Sequence, residues 1–344
     1  MPKNKKEEKV NTTKIPEQDI VVSNQQVKTF GQKMAVNLKA MKSLFKLFNA
    51  NYWQSGFSPV MNFGFVIVFI AMYGFIMQSQ SGDTTMGTAI FKSSLIGIIA
   101  MQTMSFAINT VPSTINDFRN SVLLKRIGTT PVRPWSFLLT AGLFYGALMF
   151  IEFFWCFMWI AIIFNKDIGS IFGADAPSSM GYFDPTNPLF DSSIGIAPFQ
   201  GINWGGLICA VIYTVIVSIF IGLLVVSITR SVIGSNVIGM IIFFLSMFLS
   251  GQLFPIQNIV QNDVLNGISY LTPFRYTTTL LTISWNGGSI FNMSQPIYMA
   301  NMLNSSDPIP VYQTYDLWLS WFIPVGIVAA SLFFSAKNFK WGNR

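Results

Sequence analysis

The sequence contains no histidine. That removes the commonest general base and the commonest metal ligand, and with them any Ser-His-Asp triad and any His-Glu-x-x-His zinc helix. There are only two cysteines, Cys156 and Cys209, both inside apolar stretches. They read as small core residues, not as a disulfide framework or a zinc site. No Gly-Lys pair occurs, so there is no phosphate-cradling Walker loop. No apolar segment carries an aspartate, which removes an intramembrane aspartyl protease. Charge is scarce as well, at 10% Asp, Glu, Lys and Arg, against about 25% in an average soluble domain. A single soluble globular protein is excluded by that deficit, and disorder by the apolar mass.

What is abundant is hydrophobic residue, 51% of 344, with 15% aromatic. Six segments approach the roughly 20 apolar residues that a membrane helix needs. They are 60–77, entered through Pro59; 89–108, diluted by Lys92, Ser93, Ser94, Gln102 and Ser105; 135–164, which contains Glu152; 206–228; 232–250; and 317–334, with Pro324 inside. The fold class expected is an all-α integral membrane protein with six transmembrane helices. The expected organisation is a polar tail at 1–32, an amphipathic helix at 33–50, a six-span domain at 51–336 and a short tail at 337–344. No internal repeat is visible.

In the amphipathic segment Met34, Leu38, Met41, Phe45 and Phe48 recur at helical spacing, while Lys33, Lys39, Lys42 and Lys46 take other faces. A basic amphipathic helix directly before a span suits the membrane interface. Positive charge sets the orientation. With the N-terminus in the cytoplasm, ten lysines of the tail and interface helix lie inside, together with Arg119, Lys125, Arg126, Arg133, Arg230, Lys337, Lys340 and Arg344. Only Lys92, Lys166 and Arg275 fall elsewhere, and eight aspartates collect on the outside. The net charge of +7 is therefore a sidedness signal and not a nucleic-acid footprint. Both termini are expected in the cytoplasm of a cell carrying this chain in its plasma membrane.

Three places draw attention. In 111–137, Thr114 and Asp117 have the spacing of a helix N-cap and its reciprocal acid, Gly128 suits a helix end, and Pro131 and Pro134 stop continuation. The spacing predicts a separate helix over 115–127 against the cytoplasmic face. In 249–276, Pro255 ends the fifth span, and Ile256, Ile259, Val260, Val264 and Ile268 suggest a short amphipathic helix. Glu152 is the single acid within a span, where a charge costs about 2.5–3.5 kcal/mol on insertion scales. It either faces the bundle, a cavity or a partner chain, or lies near the outer interface of a long, tilted helix.

The run LLKRIGTTPVRPWSFLLT, 123–140, resembles the region between the second and third spans of type 2 ABC exporter permeases. Asp117 and Arg119 fall where that family has its acidic/basic cluster. Leu124, Lys125 and Arg126 match its helix end, and Thr130 and Pro131 its Thr-Pro. Asn120-Ser121 stands where the family often has Glu and a Gly-Thr pair. The resemblance implies that this region is a coupling helix, with these seven residues coupling it to a separate ATPase chain that would hold the ATP and Mg. No cofactor is then expected on this chain. In LSGQLFPIQNIVQNDVLNGISYLTPFRY, 249–276, Ser250, Gly251, Phe254, Pro255, Pro273 and Tyr276 follow the family order for short helices that dip back into the outer leaflet. With Glu152, the residues Gly251, Phe254, Pro255, Pro273 and Tyr276 become candidates for a translocation path or gate. Six helices are too narrow to enclose a path, which implies a dimer, homo- or hetero-. The function expected from the resemblance is ATP-driven export, by alternating access, of a substrate that a Phe-rich wall would suit if lipid-like or drug-like. The alternatives are a secondary transporter or a membrane assembly protein with no ATPase partner; the single intramembrane acid and the lack of a repeat count against the transporter.

Overall fold

The computed structural model describes residues 30–80, 84–120, 134–163, 199, 202–229, 231–254, 256–260, 262–292, 312 and 314–338. Apolar surroundings supply no water to backbone amides, so these stretches must satisfy their own hydrogen bonds, and helices do so. Apart from one bridge residue, Tyr312, all regular structure among the described residues is helical. The elements are α1 (Phe30–Gln54), α2 (Phe65–Gln80), α3 (Thr84–Ser105), α4 (Val111–Asn120), α5 (Pro134–Ile163), α6 (Trp204–Ile228), α7 (Val232–Leu249), α8 (Ile256–Val260), α9 (Asp263–Ser269), α10 (Arg275–Trp285) and α11 (Thr314–Asn338). A single helical turn, Phe57–Pro59, and two π-helical turns, Val60–Gly64 before α2 and Phe106–Thr110 between α3 and α4, complete them.

Five helices are long and apolar enough to cross a membrane: Ser94–Phe118, Ser136–Ile163, Trp204–Ile228, Val232–Leu249 and Thr314–Lys337. The expected first span is helical through the π-turn and α2, but its described apolar part, Val60–Met72, is shorter than a span. The expected second span reaches beyond 108 to Phe118.

That extension corrects one expectation. Thr114 and Asp117 do not open a separate helix, because α3, the π-turn and α4 run on without a break to Asn120. Val111 has α-helical dihedrals, and its N–H bonds the Phe106 carbonyl, so no free helix start exists for Thr114 to cap. Pro112 lacks an N–H, and the wide π-turn directly before it accommodates the missing bond. The carbonyls of that turn then need neighbours without side chains. A Cβ on Gly222 of α6 would collide with the Ala107 carbonyl oxygen, and one on Gly239 of α7 would stand 2.8 Å from the Ile108 oxygen.

The centre of the bundle is α6, which packs against α10, α11, α5, α4 and the second π-turn. It starts on Asn203, whose side chain accepts from the Gly206 N–H at 3.1 Å. Pro324 within α11 removes the N–H that the Ser320 carbonyl would take, and the phenol of Tyr213 on α6 donates there at 3.3 Å and to the next carbonyl, of Trp321, at 2.7 Å. α1 packs on α5. It buries Leu44, Phe48 and Tyr52 and exposes Lys42, Lys46 and Trp53. Phe45, expected on the buried face, is 40% exposed and lays its ring edge on Phe144 at 5.1 Å.

Candidate functional site

The turn after α7 bends back into the bundle. Gly251 has φ +77°, a conformation that glycine adopts without strain. Its carbonyl and that of Gln252 press on Gly97 of α3, where a Cβ would lie 2.9 and 2.7 Å from their oxygens. Gln252 is buried and donates to the Thr278 hydroxyl at 3.2 Å. The segment that follows divides into two short helices, α8 and α9, because Asn262 caps a new start, accepting from the Val264 and Leu265 N–H groups. Ile256 and Ile259 are buried, whereas Val264 and Ile268 on α9 are exposed.

Every residue of α10 is buried, although five of its side chains are Ser or Thr. Those hydroxyls turn inward on the helix itself. Thr278 donates to the Phe274 carbonyl, Thr279 to Arg275, Thr282 to Thr278 and Ser284 to Leu280, each at 2.9 Å, and Thr277 donates to Phe274 at 3.1 Å. Self-satisfied in this way, a polar sequence can sit among α3, α6 and α11.

At the head of α10, Arg275 is 1% exposed. Its guanidinium donates to the Ser269 hydroxyl and, at 2.8 Å, to the Asn266 side chain, both on α9. The Asp316 carboxylate at the start of α11 lies 3.8 Å away, and the Tyr270 ring is 4.2 Å from the guanidinium carbon. Tyr270 donates to Asp316 at 2.5 Å, and Tyr276 donates to the Tyr270 carbonyl at 2.6 Å. Burial, and then the bond to Asp316, push the Tyr270 phenol well above its ordinary 10, so it remains a donor at any physiological pH. One guanidinium thus joins α9, α10 and α11.

Of the candidate gate residues, Gly251 and Tyr276 are buried in this module, Pro273 is half-buried, and Phe254 is exposed with its ring 5.7 Å from Phe248. Pro255 lies outside the described residues. Glu152 is elsewhere, on α5. It is 1% exposed, and neither carboxylate oxygen has a hydrogen-bond partner. The bundle-facing alternative is therefore the one the structure adopts. Of the coupling candidates, Asp117 is exposed near the end of α4 and the Arg119 backbone is helical, while Leu124, Lys125, Arg126, Thr130 and Pro131 lie outside the described residues.

Arg275 and Asp316 were absent from the sequence-derived site and were read only as outer surface charges. Their pairing spans 41 positions of sequence, and no local pattern signals it.

Comparison with protein families gives a match at residues 192–285 to the family described as ABC-2 type transporter. The matched stretch takes in α6, α7 and the whole buried module as far as the last residue of α10. No curated protein matches the chain. The family match and the apolar helices agree on a multi-pass membrane protein whose residues 192–285 are similar to the ABC-2 type transporter family.

Proposed function

We propose that the chain is the permease subunit of an ATP-driven exporter, working as a dimer with two separate ATPase chains. The observation that carries this reading is the coincidence of the ABC-2 match with the module that folds back into the bundle after α7. ATP and Mg belong on the partner, since the sequence has no Walker loop. The helical stretch that includes Val60–Gly64 and α2 is the first of six spans. α1 lies at the cytoplasmic interface, with its lysines toward the headgroups, in the plasma membrane. Both termini are cytoplasmic, which puts the α8–α10 module on the outer side.

In this reading closure of the ATPase pair pushes on the segment 121–133, and α4 carries the displacement into the span of which it is part. The dimer interface then opens outward. Substrate is amphiphilic, lipid-like or drug-like, in keeping with a wall rich in Phe. The test replaces Leu124 and Arg126 together with Ala. Loss of ATPase co-purification, with the chain still inserted and monodisperse, is the expected result. Unchanged co-purification and unchanged transport would refute the coupling assignment.

A further inference from the structure

Glu152 sits in a seam between α1, α5 and the two π-turns. Tyr52 of α1 lies within electrostatic reach of both Glu152 and Tyr145, which share one face of α5. The Asn62 amide, from the first π-turn, donates to the Tyr52 phenol at 3.2 Å and to Thr110 of the second π-turn at 3.5 Å. Around Tyr52 stand Phe106 at 5.8 Å and Phe144 at 6.3 Å between ring centroids, and Tyr145 lies 5.9 Å from Phe106. Both oxygens of Glu152 are buried without a hydrogen-bond partner, and the buried Tyr145 phenol faces Thr114 of α4.

We propose that this seam is a binding site for a bulky organic cation, with Glu152 as its counter-charge and the rings of Tyr52, Phe106, Phe144 and Tyr145 as its walls. A buried carboxyl with no donor rests neutral, and it gives up its proton when a cation comes to lie beside it, so an entering cation is held by a counter-charge that little water screens. Aromatic faces complete the preference, since they attract cations without offering hydrogen bonds. A weakly hydrated cation such as a quaternary ammonium or phosphonium needs no acceptor beyond the carboxylate and gives up little hydration on entry. Admission requires the seam to part, and the π-turns are the places where it can. Each carries an extra residue, and relaxing one to α-helix rotates the chain on one side by about 100°. Asn62 would then leave Tyr52 and Thr110, and the wall between α1 and α5 would open.

Only the use of the site for export rests on the function proposed above; binding to the isolated chain does not. The test is equilibrium dialysis of the purified full chain in mild detergent against tetraphenylphosphonium and tetraphenylborate, ions of nearly equal size and opposite charge, with empty micelles subtracted. The chain is expected to prefer the phosphonium by about tenfold or more. Glu152→Gln is expected to abolish that preference while leaving thermal unfolding unchanged, and Glu152→Asp to retain part of it. Equal binding of the two ions by the unaltered chain, or a preference that survives Glu152→Gln, overturns the proposal. If Glu152→Gln does not fold, the ion preference of the unaltered chain and of Glu152→Asp decides the matter. ATPase co-purification reads the proposed function separately, so either idea can fail alone.

Discussion

Arg275 and Asp316 carry opposite charges into a place with almost no water. Such a pair adds little net stability over an apolar packing, but removing one partner leaves the other buried and uncompensated, at about 3–5 kcal/mol. Asp316→Ala is therefore expected to lower the unfolding midpoint in detergent strongly. Tyr270→Phe, which deletes only one donor to the same carboxylate, is expected to cost about 1–3 kcal/mol. Equal midpoints for Asp316→Ala and the parent would show that the guanidinium finds other acceptors. Ser269 and Asn266 are not sufficient for that by themselves, because both are neutral.

At the scale of elements, backbone approaches set what can change. Gly222→Val should destabilise by at least about 1–3 kcal/mol, since its Cβ meets the Ala107 carbonyl, a backbone atom that cannot rotate away. Gly267→Ala, on exposed α9 with nothing within 4 Å of the added carbon, should be neutral or slightly stabilising. Thermal melts of the two variants side by side check the pair. Element boundaries were legible wherever a long apolar run met a capping residue or a proline. α7, with described residues on both sides, was expected at 232–250 and runs over Val232–Leu249. The polar helix α10 was not legible, because RYTTTLLTISW shows no apolar stripe. Its burial depends on hydroxyls satisfying their own helix, which periodicity cannot register. The false start at Thr114 has a similar origin. A capping pattern is local, whereas the helix continues because the π-turn before Pro112 is seated on glycines more than a hundred positions away.

For the whole molecule, the distribution of basic residues makes a sidedness prediction. Asp263 and Ser231 are both exposed, one at the start of α9 and one in the turn between α6 and α7. With Cys209 replaced by Ser as background, Asp263→Cys should react with an impermeant maleimide on intact cells, and Ser231→Cys only after permeabilisation. The opposite pattern would invert the topology. A mechanical consequence follows from the unbroken run of α3, the second π-turn and α4. It covers residues 84–120, about 55 Å at helical rise. Side chains packed along its length oppose its turning as a rigid body, and the π-turn is a coil at which its register can change. Because the carbonyls of that turn lie against Gly222 and Gly239, its register is tied to the seating of α6 and α7, and a larger residue at either glycine would unseat both at once.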